Sequence, residues 1–455
     1  MTLHHIAAAC GGCLHNIKED REVSGVVLDS RQVEEGTLFL AVKGERVDGH
    51  SFISQVFARG AAGVVCEKEP EEAAGPYILV RDSLQALKDI AEYYRSQLTI
   101  PIIGITGSVG KTSTKEAVAA VLSQKYRVWK TEGNFNNEIG LPLMILKIRP
   151  EHEVAVMEMG ISDFGEMHRL SKIARPDLCV LTNIGQCHLE NLGSREGILK
   201  AKTEIFDFMQ EDGVVCLNGD DDMLAAITEV KGKQPLRFGL GQDNDVYAAE
   251  VENKGLWGSR VGIRMDGETF SAEVPLPGEH MVVNALAAAC IGRQMGMSKE
   301  EIVKGIAAME AVGGRSHVIR CRDWVIIDDC YNANPVSMGA ALDLLAEAEG
   351  RTVAVLGDMF ELGDREKELH AEVGADAVAK GTDLVICIGT LSREMYHGAC
   401  RQAEALGLDR EHICYFADRD SFLEQSGKLL QPGDTILIKA SHGMAFERLV
   451  QALED

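Results

Sequence analysis

The chain has 455 residues, which as a soft prior is about three domains of ordinary size, and enough to bury several cores without disulfides or metal staples. Acidic residues outnumber basic ones 70 to 46, a formal net charge of -24 that repels phosphate backbones and anionic lipid. Nucleic acid and anionic membrane are therefore poor candidates as bulk partners, while a small anion held by a few cations and backbone amides is not.

Residues 1–98 alternate short apolar runs with turns, at 26–28, 37–42, 63–66 and 77–80, and close on a helical stretch at 83–96. That is the pattern of a small α/β domain. The first thirteen residues carry no charged start followed by a long apolar run, and no window reaches the roughly 18 uninterrupted apolar residues of a membrane span. A cytoplasmic chain without a span is expected. Among 12 cysteines, Cys10-Gly-Gly-Cys13 is the one tight pair. It has no second pair at ligand spacing and no βαβ context, so it reads as a turn. Cys179, Cys216 and Cys387 sit in apolar runs and read as reduced, buried thiols.

Pro101 opens a strand at 102–106 that feeds Gly107, Ser108, Val109 and Gly110, and a helix begins at Lys111, Thr112 and Ser113. Strand, glycine turn and helix in that order aim backbone N–H groups and the positive helix end at one point, where phosphates are held. Lys111 would neutralise the outer phosphates and the Thr112 hydroxyl would bind Mg²⁺. The loop is a variant: Ile105 stands where the common spacing has glycine, and Gly104 lies one residue earlier. No Asn-Lys-x-Asp motif occurs, which argues against a GTPase and leaves motors, kinases and ligases open.

Further apolar strands are expected at 154–158, 178–182 and 214–217, alternating with helices, hence a parallel sheet covered on both faces. Glu158 ends the first of these and His188 follows the second. Two metal-competent residues thus leave neighbouring strand ends beside the phosphate loop. Residues 246–274 become β-like and polar, an antiparallel insertion or edge. Helical periodicity returns at 281–295 and 299–309, and Gly313-Gly314 marks a break. A third βα series then has strands at 324–328, 352–356, 384–388 and 435–439. The expected fold is α/β with three domains: a small N-terminal α/β domain over 1–98, a central P-loop parallel-sheet ATPase domain over 99–314, and a C-terminal Rossmann-like domain over 315–455. The breaks near 98–101 and 313–314 read as hinges.

Several motifs together resemble the Mur ligase family over almost the whole chain. They are Asp29-Ser30-Arg31, Leu40-Ala-Val-Lys43-Gly44 and Asp48-Gly49-His50, the variant phosphate loop, Gly133-Asn-Phe-Asn-Asn-Glu-Ile-Gly-Leu-Pro142, Glu158-Met-Gly160, Thr182-Asn-Ile-Gly with His188, Gly278-Glu-His with Asn284, Gly314-Arg315, Asp328-Asp-Cys-Tyr-Asn-Ala-Asn-Pro335 and Gly357-Asp-Met-Phe-Glu-Leu-Gly363. Within the family, Tyr331-Asn-Ala-Asn-Pro335 is similar to the member that adds a dipeptide. The Asp-Asn-Pro-Arg motif of the sister that adds a third amino acid is absent, and folylpolyglutamate synthase lacks the N-terminal domain. A non-catalytic nucleotide-binding regulator would be expected to lack one of Lys111, Glu158, His188 or Arg315.

The resemblance implies an ATP-dependent amide ligase of peptidoglycan precursor synthesis. It would join D-alanyl-D-alanine to UDP-N-acetylmuramoyl-tripeptide through an acyl phosphate, giving ADP and phosphate, as a monomer with two Mg²⁺ ions. It implies Ser30, Arg31, Lys43, Asp48 and His50 for the UDP substrate. Gly107 to Ser113, Asn284, Arg315, Asp329 and Tyr331 would serve ATP, and Thr112, Glu158, His188 and a carbamylated Lys202 the metals. Lys111, Lys202, His188 and Arg315 would be catalytic. Lys202 is chosen over Lys200 because Ile205 and Phe206 stand three and four residues beyond it. Asn332, Asn334, Lys439 and His442 would face the dipeptide. Two departures fall there, Ala440 in place of the family's glycine and His442 in place of arginine or asparagine.

Overall fold

The computed structural model describes residues 1–455 other than 45–46, 72–74, 186, 312, 361 and 455. Glu361, within the Gly357 to Gly363 motif, thus lies outside the described residues. Internal contacts divide the chain into two compact units. One holds Met1–Ala249, Ile263–Phe270 and Val283–Ile306; the other holds Glu250–Gly262, Ser271–Val282 and Ala307–Asp455.

The described residues form three sheets. The first, five-stranded, runs Cys13–His15, Tyr77–Leu79, Gly63–Cys66, Thr37–Leu40, Gly25–Val27, with only the first pair antiparallel. Cys13–His15 and the helix before it, Leu3–Ala9, are additions to the sequence expectation. Thr2 caps that helix, and the Cys10 to Cys13 segment is the turn that returns the chain into the sheet. Gly12 is needed there, since a Cβ would lie 2.4 Å from the Ile78 side chain.

The second sheet, nine-stranded, places Val214–Asn218, Leu178–Leu181, Ile102–Thr106, Val154–Glu158 and Val128–Lys130 side by side and parallel. Ile102–Thr106 has later strands on both sides, so the chain order reverses around it. A crevice for ligands opens beyond the carboxyl ends of strands at such a point. Val246–Asn253, Ser259–Met265 and Glu268–Val274, the β-like stretch expected from sequence, extend the sheet at its far edge through Leu236–Gly239, a strand the sequence reading did not include.

The third sheet runs His317–Arg320, Val325–Asp328, Thr435–Lys439, Thr352–Gly357, Leu384–Ile388, Ile413–Phe416. Its first pair is antiparallel and the rest parallel. The insertion of the last strand, Thr435–Lys439, between two earlier ones again puts a crevice at the carboxyl edge.

The stretch expected to hinge at 98–101 is spanned by packing and side-chain bonds. The helix Ser83–Ser96, capped by Asp82, turns Ala86, Leu87, Ile90 and Ala91 into a core shared with Leu141, Met144 and Leu170 of the second sheet's helices. At its end Arg95, 5% exposed, donates to the carbonyls of Ala174, Leu98 and Arg175 and to the Asp177 carboxylate at 3.1 Å. Asp177 also accepts from the Ile102 N–H at 2.8 Å.

Candidate active site

The strand Ile102–Thr106 ends in Gly107, whose φ of 154° leaves no room for a Cβ against Thr182 Oγ1, 1.9 Å from where it would stand. Gly110, at φ 82°, is the left-handed cap from which the helix Lys111–Leu122 starts. The Lys111 ammonium folds back to the carbonyls of Gly107 at 2.9 Å and Ser108 at 3.3 Å. Thr112 is buried in the first turn, and Thr114 Oγ1 donates to Asn284 Oδ1 at 2.8 Å, which fixes Asn284 beside the loop.

The loop after Leu178–Leu181 grips this turn. Asn183 accepts from the Val109 N–H through Oδ1 at 2.9 Å and donates to the Val109 carbonyl through Nδ2 at 3.2 Å. Thr182 Oγ1 donates to the same carbonyl at 2.6 Å, and the Ser108 N–H to the Asn183 carbonyl at 3.0 Å. The Ser108 and Val109 amides are therefore bonded within the protein. The same loop carries His188, exposed, at a left-handed φ of 49°.

Glu158 registers with Ile105 on the adjacent strand. Its side chain is 2% exposed; Oε1 accepts from Asn136 Nδ2 at 2.8 Å, while Oε2 is buried without a hydrogen-bond partner. A buried carboxylate with one oxygen held and the other bare is costly alone and suits a hard cation, so the residues present fit a magnesium ion. Lys202, 1% exposed, sits on the helix Arg195–Thr203. Burial, and after it the Lys111 ammonium, bring its pKa down to about 8.

The second unit carries the remaining group. The Arg315 guanidinium lies over the Tyr331 ring at 4.2 Å, with its Nε buried and without a hydrogen-bond partner. Gly314, at φ 73°, permits this: a Cβ would meet the Tyr331 backbone N at 3.0 Å. Tyr331 also packs its ring 5.7 Å from that of His442. Asp329 is bonded twice, to the Ser316 N–H at 3.0 Å and to Lys439 Nζ at 2.6 Å. Its burial raises its pKa despite that ammonium. Lys439, 3% exposed in its side chain, also donates to the Asn332 carbonyl at 3.0 Å. It ties the strand Thr435–Lys439 to the loop after Val325–Asp328.

Several sequence-assigned residues also have partners within the protein. Asn334 Oδ1 caps the helix Pro335–Ala346 through the Ser337 N–H at 2.8 Å. Asn332 Oδ1 accepts from the Ala333 N–H at 2.9 Å. In the first sheet's domain, His50 spends Nδ1 on Asp48 at 2.6 Å and Nε2 on the Glu67 N–H at 2.9 Å. Asp48 pairs with Lys43 as an isolated bridge, and Asp29 is held at about pKa 2 by the Arg31 guanidinium. Ser30 and Arg31 form the short 3-10 turn that Asp29 caps. Asn136, Asn183 and Thr131 were given no role from sequence. The first two lie in motifs that pointed to the site, but a carboxamide in a loop signals nothing until its partners are known.

A model of the Mur ligase middle domain matches residues 105–292, one of the Mur ligase glutamate ligase domain matches 314–442, and one of the Mur ligase family catalytic domain matches 22–95. The UDP-N-acetylmuramoyl-tripeptide–D-alanyl-D-alanine ligase of Bacillus subtilis (strain 168) is 40% identical over 99% of this chain and 98% of its own. A crystal structure of MurF from Acinetobacter baumannii superposes with a TM-score of 0.90 at 33% identity, covering 100% of this chain and 98% of that one. MurF ligase from Thermotoga maritima, in complex with ADP, gives 0.81 at 30% identity over 94% and 97%. Phosphate loop, buried carboxylate and three sheets agree with those matches, and the chain belongs to the Mur ligase family.

Proposed function

We propose that the chain is an ATP-dependent amide ligase that joins D-alanyl-D-alanine to UDP-N-acetylmuramoyl-tripeptide in the cytoplasm, releasing ADP and phosphate. The substrates are those in the names of relatives that align along nearly the full chain. The observation that carries the nucleotide chemistry is Glu158, its bare Oε2 buried one strand from the phosphate loop.

In this reading residues 1–98 hold the UDP end, 99–314 the ATP, and 315–455 the dipeptide. The tripeptide carboxylate attacks the γ-phosphorus of ATP, and the bond to the β-bridging oxygen breaks with ADP as leaving group. The dipeptide amine then attacks the acyl carbon, loses a proton and expels phosphate. Lys111 exchanges the Gly107 and Ser108 carbonyls for phosphate oxygens. Thr112, Glu158, His188 and Lys202 would hold Mg²⁺, and the charge it would supply there is an offset to that on the phosphoryl oxygens. The Arg315 guanidinium, held over the Tyr331 ring, suits a phosphate.

Lys202 serves as a carbamate. Its neutral amine adds to CO₂ and releases a proton, turning a cation into an anion with two oxygen donors. A pKa near 8 leaves a useful neutral fraction at neutral pH, which an exposed lysine lacks.

Phosphate release tests the whole reading. It is expected only when ATP, Mg²⁺, the UDP-tripeptide and D-alanyl-D-alanine are all present. Equal turnover with a single free amino acid in place of the dipeptide would move the assignment to the sister ligase.

A further inference from the structure

Lys115 is among the largest fully buried side chains, 2% exposed, and the chemistry above makes no use of it. It lies one helical turn beyond Lys111 and three residues beyond Thr112 on the helix Lys111–Leu122. Its Nζ donates to the Thr131 carbonyl at 2.7 Å and pairs with Glu116 Oε1 at 2.9 Å. Glu116 in turn pairs with Lys130. Thr131, 1% exposed, follows the strand Val128–Lys130 and donates its own N–H to the Val156 carbonyl at 3.0 Å. Its hydroxyl accepts the N–H of Glu158 at 2.9 Å.

These bonds form a short relay. A change in where the phosphate-loop helix sits is passed by Lys115 to the Thr131 backbone, and by the Thr131 hydroxyl to the backbone of Glu158. The two ends are Thr112 and Glu158, which belong to different elements and yet must present their oxygens to one ion. Mg²⁺ demands near-ideal octahedral geometry at short distance, so the spacing of the two is what such a site must control. Asn136 fixes the Glu158 carboxylate from the other side, through Oε1 alone, and leaves its backbone to Thr131. An apolar side chain would fill the space of Lys115 without burying an ammonium. What the lysine adds is a donor long enough to reach from the helix to Thr131.

We propose that Lys115 is a positioning residue for the metal site. It acts through Thr131 to hold the phosphate-loop helix and the Glu158 strand end in register for a divalent cation bound with the nucleotide. The proposal rests on the reading that Thr112 and Glu158 share Mg²⁺, and the test separates the two.

Calorimetric titration of the full chain with the ATP analogue AMPPNP, with and without Mg²⁺, gives the gain in affinity that the metal confers. The wild type is expected to show a clear gain. Lys115→Met and Thr131→Val are each expected to lose about tenfold of it, the scale of outer partners of a metal site, with metal-free affinity unchanged. The double variant should lose little more than the worse single one, because both cut the same relay. Thermal unfolding of each variant reports its fold, and if Lys115→Met does not fold, Thr131→Val decides alone. A full metal gain in the variants, an equal loss with and without Mg²⁺, or losses that multiply in the double variant would overturn the relay. No metal gain in the wild type would overturn the shared metal site, and the relay with it.

Discussion

Lys202 meets two opposed demands at one position. As an ammonium it is buried beside Lys111, and its pKa of about 8 means that folding disfavours its charged form. The unfolded chain, where lysine titrates near 10.4, binds more protons between roughly pH 8 and pH 10.4. Stability should therefore rise as pH climbs through that window, and the full penalty applies below it. Lys202→Met is expected to be more stable than the wild type at pH 7 in CO₂-depleted buffer, by an amount on the order of 3 kcal/mol. Denaturant titration measures this, and a less stable variant would contradict the buried-cation account. The carbamate makes the opposite prediction for activity. Lys202→Ala should be nearly inactive and partly rescued by formate or acetate, whereas Lys200→Ala should keep its rate; full activity in Lys202→Ala would sink the idea. Lys202 was singled out by the resemblance, through Ile205 and Phe206 at the family's offsets, and its burial is what the structure adds. For His50, Asn334 and Lys439 the sequence shows a polar side chain but not the protein partners it has, the Glu67 and Ser337 N–H groups and the Asp329 carboxylate.

At the level of elements, long apolar strands were legible and short or amphipathic ones were not. Ile102–Thr106, Val154–Glu158 and Thr352–Gly357 are buried at every position, so they read as continuous apolar runs. Cys13–His15 and Val128–Lys130 have three residues each and no fully buried position, too little for a period to show. His317–Arg320 and Ile413–Phe416 carry polar or half-exposed positions that blur the same signal. The segment expected to hinge at 98–101 is spanned by bonds of long range. Pro101 is a real break in the chain, but Arg95 bridges it with bonds to residues some eighty positions away that no local pattern reveals. Arg95 is buried but the Asp177 side chain is 33% exposed, so the cost is that of buried acceptors losing a charged donor, about 1.5–3 kcal/mol. Arg95→Ala is accordingly expected to lower stability by about 1.5–3 kcal/mol in urea titrations, with Arg95→Lys restoring only part, since an ammonium cannot reach the same set of acceptors. A loss below about 0.5 kcal/mol, the usual range for surface changes, would mean the bridge is ornamental. The grip of one loop on another is tested separately. Asn183→Leu removes both bonds to Val109, and the nucleotide affinity should fall about tenfold with unfolding temperature nearly unchanged, because a loop pinned for phosphate binding would have to be ordered by the ligand itself. Unaltered affinity would assign Asn183 no part in the phosphate loop.

Over the whole molecule the balance of charge sets a further expectation. A net charge of -24 is a large self-repulsion, and it favours the expanded state. Against it stand many exposed ion pairs, such as Arg365 with Glu368 and Arg410 with Glu404. Added salt weakens both terms, so their relative size decides the sign. An exposed pair contributes about 0–1 kcal/mol and many contribute nothing measurable, whereas repulsion sums over every excess carboxylate. Repulsion wins, and unfolding temperature at pH 7.5 should rise between about 10 mM and 150 mM NaCl, where the screening length falls from about 30 Å to about 8 Å. A scan of a chain with two compact units need not be two-state, so each transition is followed by itself. The control is pH. Near the sequence pI of 5.0 the net charge vanishes, repulsion goes with it, and only the ion pairs remain for salt to weaken. There the same addition should leave the transitions level or lower them. A rise of equal size at both pH values would show that salt acts by general exclusion from the surface, and the charge argument would fall.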